Sequence, residues 1–425
     1  MKVFKFGGAS VKDAAAVKNV TAILKLYPGE SLTVVVSAMG KTTNALEKVA
    51  TAYFYREADP KPLLDEIKQF HLNIIKDLFQ NSSAAVYDQI NNLFVEIEWI
   101  LEEPPVKGYD FIYDQIVSAG ELLSTRIVSE YLNSQGISNK WMDARDLIHT
   151  DNTYREACVD WELTRERTRH YLMPLMNTPG GIVITQGFIG ATSENFSVTL
   201  GREGSDYTAA ILAHCLDAEA VLIWKDVPGV LNADPKYFKD AQKLERMSYH
   251  DAIELAYFGA SVIHPKTIKP LENKNIPLYV KSFVHPELSG TMIGKDVQTK
   301  PLIPSFIFKD NQLLLSIAAK DFSFIAEESL RDIFGSFAKS GVKINLMQNS
   351  AISFSVCIDN DKIKVPPLLD ELKKTYKIRY NEDLQLFTVR HYYPSTLEML
   401  TQGKEVLLEQ RSRHTAQFVT RELEK

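Results

Sequence analysis

The chain opens with Lys2-Val3-Phe4-Lys5-Phe6-Gly7-Gly8-Ala9-Ser10-Val11. Residues 2–6 alternate as a β-strand and Gly7-Gly8 break it. Val11–Leu26 then places Val11, Ala15, Val20, Ile23 and Leu24 at helical spacing. A strand that feeds a helix through a glycine turn is the first half of an α/β unit. Backbone N–H groups at such a helix start can face an anion, and glycine lets phosphate oxygens approach closely. Lys5 adds a positive charge at the strand end. The turn follows neither the Gly-x-x-x-x-Gly-Lys-Ser/Thr nor the Gly-x-Gly-x-x-Gly pattern, and a plain tight turn accounts for the two glycines taken alone.

Working outward, Ser31–Ser37 (SLTVVVS), Gly181–Phe188, Ala220–Val227 and Pro277–Phe283 read as further strands. Helical spacing runs through Asn44–Tyr55, 62–79, 84–101, 111–133, Asp206–Leu216 and Tyr249–Phe258. This alternation predicts a mostly parallel sheet covered on both faces, with ligands at the carboxyl ends of the strands. Gly290, Gly294, Pro301 and Pro304 then punctuate a polar stretch without a period. The expected division is a first domain over 1–295, a linker over 296–312 and a second domain over 313–425. Within the last, strands at Leu313–Ala319, Lys343–Met347, Ala351–Ile358 and Leu384–His391 alternate with helices at Ile325–Lys339 and Leu368–Tyr376. That order, β-α-β-β-α-β, is ferredoxin-like.

Composition narrows the function. A chain of 425 residues with 45% hydrophobic and 24% charged residues suits an ordinary soluble protein of two or three domains. Its 48 Lys and Arg against 54 Asp and Glu leave a net charge of −6, without the basic excess that nucleic-acid binding requires. Cys158, Cys215 and Cys357 are odd in number and widely spaced, which predicts a reducing, cytoplasmic setting. Neither a secretion signal nor a membrane span is expected. The nine histidines form no metal-ligand pattern, and no Gly-x-Ser-x-Gly elbow occurs.

Three more segments could carry chemistry. Gly201-Arg202-Glu203-Gly204-Ser205-Asp206 precedes a helix, with Ser205 available as its N-cap and the Arg202 fork suited to a carboxylate or phosphate. A capped helix with a solvated ion pair accounts for the segment equally well. Lys225, Asp226 and Lys236 surround turn residues at the end of a strand, where open sheets bind nucleotides. Glu121 adjoins Gly120 inside a helix, where glycine costs about 1 kcal/mol relative to alanine and so suggests close approach of another group.

Taken in order, KFGGASV (5–11), SAMGKTTN (37–44), SAGELLS (118–124), GFIG (187–190), TLGREGSDYTAA (199–210), WKDVPG (224–229), Asp234-Pro235 and FGASVIHP (258–265) resemble the aspartate kinase family. The blocks span nearly all of residues 1–295. The resemblance implies an α/β amino-acid kinase fold, a mostly parallel eight-stranded sheet between helical layers, followed by a ferredoxin-like ACT region whose second unit is incomplete. It implies transfer of the γ-phosphoryl group of ATP, with Mg²⁺, to the β-carboxylate of L-aspartate. The product, 4-phospho-L-aspartate, enters lysine, threonine and methionine biosynthesis. A related kinase with another carboxylate acceptor, or a catalytically weak amino-acid sensor on the same fold, are the competing readings.

Residue by residue, the resemblance implies catalytic roles for Lys5 and Asp206. It implies substrate binding by Thr43, Glu121, Arg202, Glu203, Gly204 and Ser205. Nucleotide contacts fall to Lys5, Gly7, Gly8, Lys225, Asp226, Leu231, Lys236, Ser261 and Val262, with Mg²⁺ held through ATP rather than by side chains. Asn345, Met347, Gln348, Asn349 and Ser350 lie where the family's effector pocket falls, which implies lysine or threonine as effector. Pairing of ACT units implies a homodimer or higher homo-oligomer, without nucleic-acid or membrane partners. The chain departs from the family in Ala9, where a hydroxyl residue is usual, in Glu203, often glycine, and in Ser261, often lysine.

Overall fold

The structure is a computed structural model that describes residues 1–79, 84–260, 263–321 and 323–423. It divides into two compact units. One comprises Met1–Val230, Lys243–Ile253 and Val262–Thr299; the other comprises Leu231–Gln242, Glu254–Ser261 and Lys300–Lys425. No helix among the described residues is long and apolar enough to cross a membrane.

The first unit is built on eight strands: β1 (Lys2–Phe6), β2 (Leu32–Val36), β3 (Lys140–Met142), β4 (Ile182–Gln186), β7 (Ala220–Lys225), β8 (Arg246–Ser248), β9 (Leu278–Ser282) and β10 (Thr291–Gly294). A separate antiparallel pair is formed by β5 (Ile189–Ala191) and β6 (Ser197–Thr199). The sheet order is β3-β4-β2-β1-β7-β9-β10-β8, parallel throughout except between β9 and β10. The central strands are buried along nearly their whole length because helices cover both faces of the sheet.

Alternation along β1 sorts its residues. Phe4 and Phe6 lie on one face and pack on Trp224, with Phe6 stacked on the indole at 6.0 Å. Lys5 lies on the other face with the residue that pairs with it, Ile223, and therefore with Lys225 two positions further along β7. A helix at Gly204–Leu216 packs against this second face.

The first long helix begins later than its apolar spacing predicts. Gly8–Val11 is a 3₁₀ turn, and the helix proper, Ala14–Lys25, is capped by Asp13, whose Oδ1 accepts from the Ala16 N–H at 2.8 Å. The long-helix dipole therefore starts beyond the glycines. Likewise, the helix expected over 111–133 is two, Tyr109–Val117 and Ala119–Ser134. The close approach expected at Gly120 is present: a Cβ there would lie 3.1 Å from Leu46 Cδ1 and 3.2 Å from Thr42 Cγ2.

In the second unit, β11 (Ser305–Ala319), β12 (Ile344–Asn349), β13 (Ser353–Asp359), β14 (Tyr376–Arg390), β15 (Lys404–Arg411) and β16 (Thr415–Glu422) form an antiparallel sheet ordered β12-β13-β11-β14-β16-β15. Residues 305–312, expected as linker, are instead the first half of β11. The polar run Lys309-Asp310-Asn311 hides their strand character because it falls at shifts of register against β14. The far half of these two long strands packs Leu313, Leu315 and Ile317 against the helices Glu327–Ser340 and Val365–Thr375, completing one β-α-β-β-α-β unit. The near half, with β15 and β16, carries the short helix Pro394–Thr401. The second ACT unit thus has one helix where the first has two.

The contiguous division expected from composition also differs from the observed units. Leu231–Gln242 and Glu254–Ser261 belong with the second unit. Side-chain chemistry explains why: Asn232 Nδ2 donates to the Pro304 carbonyl at 2.8 Å, Phe238 stacks on Phe306 at 4.9 Å, and Arg390 pairs with Glu254 at 2.6 Å.

Gly187, just beyond β4, sets how closely the helix Gly204–Leu216 can approach the sheet. A Cβ at this position would lie 2.4 Å from Ser205 Cβ and 2.8 Å from its Cα. Gly187→Ala is expected to cost about 1–3 kcal/mol by overpacking against backbone, read as a lower urea midpoint. An unchanged midpoint would show that the helix start can yield.

Candidate functional site

The carboxyl ends of β1, β2 and β7 meet the first turn of the helix Gly204–Leu216 around a cleft of about 850 Å³. Lys5 and Lys225, on the same face of adjacent strands, converge on Asp206 in that turn. Lys5 Nζ lies 2.6 Å from Asp206 Oδ1, and Lys225 Nζ lies 3.5 Å from Oδ2. Asp206 is only 3% exposed. Burial by itself would raise its pKa, but the two ammonium groups outweigh burial and hold the carboxyl below its ordinary range.

Glu121, in the first turn of Ala119–Ser134, borders the same cleft and behaves in the opposite way. Desolvation pushes it up to about 8, with the Ala38 amide and Lys5 offsetting this only in part. Its Oε2 is buried and has no hydrogen-bond partner among the described residues. Thr43, Arg202, Glu203, Gly204 and Ser205 also line the cleft, so the whole expected substrate set comes together. Arg202 is exposed and forms no ion pair with a described residue.

The Gly201–Asp206 turn reaches the cleft by unusual backbone. Gly201 has φ +79°, and Glu203 has φ 55° and ψ 28°, a left-handed conformation that glycine adopts without strain. Glu203, rather than Ser205, occupies the N-cap position, and its side chain does not cap the helix. Its Oε2 instead accepts from the His264 N–H at 3.0 Å, a contact glycine could not supply.

Of the expected nucleotide set, Lys5, Gly8 and Lys225 line the cleft. Gly8 is needed for close packing, since a Cβ would lie 2.8 Å from the Ala38 carbonyl oxygen and 2.9 Å from that of Gly40. Gly7 lies beside the Lys5 ammonium, and Asp226 is an exposed residue just past β7. Leu231 and Lys236 belong to the second unit, and Ser261 and Val262 lie outside the described residues. Of the expected effector residues, Asn345 is committed to internal hydrogen bonds: its Nδ2 donates to Gln312 and Asp359, and its Oδ1 accepts from Lys309. Met347, Gln348, Asn349 and Ser350 are exposed on, or just past, the edge strand β12.

Residues that line the cleft, or brace those that do, escaped the sequence reading. Asp114 is fully buried and pushed up to about 6 by desolvation, against hydrogen bonds from the Arg155 N–H (2.9 Å), the Thr199 hydroxyl (2.7 Å) and the Thr199 N–H (3.0 Å). It ties the 153–156 loop to β6. Arg155, at φ 68°, stands at the cleft with Glu47 at 3.6 Å, Asp110 at 3.5 Å and the Tyr113 ring at 4.3 Å. The only sequence signal was the polar Asp151-Asn152-Thr153 run, which reads as a surface turn.

Residues 1–282 match the amino acid kinase family. The chain is 32% identical over 391 residues to lysine-sensitive aspartokinase 3 of Escherichia coli, covering 90% of this chain and 85% of that protein. It is 33% identical over 375 residues to the chloroplastic aspartokinase 1 of Arabidopsis thaliana, of which it spans 64%. Among solved structures, E. coli aspartokinase III with aspartate and ADP, in its R-state, superposes with a TM-score of 0.83 at 28% identity, over 99% of this chain and 96% of that one. The T-state structure of the same enzyme with lysine and aspartate gives the same score. With its eight-stranded sheet, its ACT-like second unit and its cleft of paired lysines and acids, this chain belongs to the amino acid kinase family, among the aspartokinases, which phosphorylate aspartate with ATP.

Proposed function

We propose that the cleft binds L-aspartate between Arg202 and Glu121 and presents its β-carboxylate to the γ-phosphoryl group of ATP beside Lys5. The observation that carries this reading is the buried Glu121 Oε2, without a hydrogen-bond partner among the described residues, in a cleft that also offers the Arg202 fork, which no described acid pairs. An α-amino acid supplies an ammonium for the first and a carboxylate for the second. The acceptor carboxylate is ionised near neutral pH, so no general base is required; the residues must align two anions and neutralise charge as it shifts. Lys5 and Lys225 supply that positive charge, and Asp206 holds both in place. The role of Asp206 is therefore to position the lysines. Thr43 and the Glu203–Ser205 backbone complete the acceptor pocket, and Gly7, Gly8 and Asp226 are assigned to the nucleotide.

Among the described residues no group of three His, Cys, Asp or Glu could hold a metal, and Asp206 is already engaged by two lysines. A Mg²⁺ ion arriving on ATP would be held by phosphate oxygens, where it neutralises the β- and γ-phosphate charge. For the second unit, the exposed stretch Met347–Ser350 on the edge strand is the place for pairing with another copy and for lysine or threonine as effector.

A mixture of ATP, Mg²⁺, aspartate and hydroxylamine should yield a hydroxamate, and its absence at saturating substrate would favour the sensor reading. Lys5→Ala is expected to lower kcat about 10²–10³-fold. Arg202→Ala should act chiefly on the aspartate KM, raising it about 10- to 100-fold; an effect on kcat alone would remove Arg202 from the substrate pocket. Glu121 carries a pH signature. Its folded-state pKa is raised from 4.5 to about 8, so across that window the folded chain keeps a proton that the unfolded chain has released. Stability of the ligand-free protein should therefore fall as pH rises from 5 to 8. Glu121→Gln should flatten that slope in urea titrations, and an unaltered slope would mean that Glu121 is ionised in the empty cleft.

A further inference from the structure

A second cavity, of about 320 Å³, shares no lining residue with the catalytic cleft. Three helices build it, and each contributes a stripe along one face. Trp161 and Arg165, four apart, come from Trp161–Met176; Tyr207 and His214, seven apart, come from Gly204–Leu216; Lys266 and Lys269, three apart, come from Pro265–Lys274. Its volume lies at the lower end of the range for small-molecule sites.

The charges around it are unmatched. No acidic side chain lines the cavity. Arg165, Lys266 and Lys269 form no ion pair with any described residue. Their helices also carry Arg169 and Lys274, and both of those pair with Asp217. The same helices thus pair the cations next to the cavity and leave the three that converge on it without counter-charge.

The wall is aromatic and rigid. The Trp161 ring stands 5.2 Å from His214 and 6.5 Å from Tyr207. His214 is buried, and its Nδ1 lies 2.9 Å from the Pro270 carbonyl oxygen, which can only accept; Nδ1 therefore carries the proton. Nε2 is left as an acceptor facing Arg165 Nη2 at 3.4 Å, which orients the guanidinium at the cavity. A concave site with three cations that no described acid pairs, above aromatic faces, favours an anion attached to a planar ring.

We propose that this cavity is a binding site for a small anionic metabolite with a planar ring. Its phosphate or carboxylate is held by Arg165, Lys266 and Lys269, and its ring lies against Trp161 and Tyr207. The test is calorimetric titration of the full chain, with aspartate and ADP saturating the catalytic cleft, using phenyl phosphate, inorganic phosphate and phenol as separate probes. Phenyl phosphate should bind once per chain, at least about tenfold more tightly than either fragment. The double variant Lys266→Ala/Lys269→Ala should weaken it about tenfold or more, while kcat and KM without the probe stay unchanged because both side chains are exposed. Trp161→Leu should weaken phenyl phosphate but leave inorganic phosphate as it was. Absence of phenyl phosphate binding with the cleft filled, or binding insensitive to the lysine substitutions, would overturn the proposal. Equal affinity for phenyl phosphate and inorganic phosphate would overturn the ring's part in it.

Discussion

The catalytic unit depends on one buried carboxylate held between two lysines. Asp206 is withdrawn from water at the start of a helix, where an isolated charge would be expensive, and Lys5 and Lys225 compensate for that loss of solvation. Removing Asp206 would leave two neighbouring ammonium groups with no anion between them. Glu121, equally buried in the same cleft, lacks matching compensation and is driven the other way, to about 8. Two acids within one cleft are thereby separated in protonation by their surroundings alone. One acts as a fixed anchor for positive charge, and the other is an empty acceptor that a cationic group can complete.

Sheet geometry makes that cluster possible. Lys5 and Lys225 reach the same face because each sits in phase with the pleat of its strand, while Phe4, Phe6 and Trp224 fill the opposite face. The aromatic packing fixes the strands against each other, so the lysines are positioned by side chains that never enter the cleft. The turn that carries Arg202 shows the cost of delivering side chains to this spot. Glu203 holds a left-handed backbone that a glycine would adopt freely, and its carboxylate anchors the start of the neighbouring helix through the His264 N–H. Close approach at Gly8 and Gly187 then packs the glycine turn against residues 38–40 and the start of the helix Gly204–Leu216 against the end of β4.

In the second unit, two long strands pass through both halves of one sheet. The register shifts near Lys309 and Gln312 mark the crossing, and there the buried Gln312 joins Asn345, Asp359 and Lys309 in a hydrogen-bonded network that reaches the surface. Such a network is stable only when every member is satisfied. It commits the Asn345 side chain to internal hydrogen bonds and leaves Met347–Ser350 as the exposed part of that segment.

Much of this was legible from residues alone. The period-two and period-3.6 patterns located the central strands and most of the helices, and the ordered blocks from Lys5 to Pro265 identified the family and named residues that meet in one cleft. Local patterns carry that information because strand pleat and helical pitch are properties of a few consecutive residues. Other features depended on pairs far apart in the chain. Asp114 looked like an ordinary helix residue until the Arg155 and Thr199 amides converged on it. Residues 305–312 looked like a linker because their strand pairs with residues some eighty positions away. The opposite protonation of Asp206 and Glu121 likewise follows from which charges surround a buried carboxyl. Fold class, family and the chemical inventory of the cleft are therefore written in the order of residues along the chain. How those groups are charged and paired is set in three dimensions, because desolvation and Coulomb interaction depend on distance in space and not on spacing along the chain.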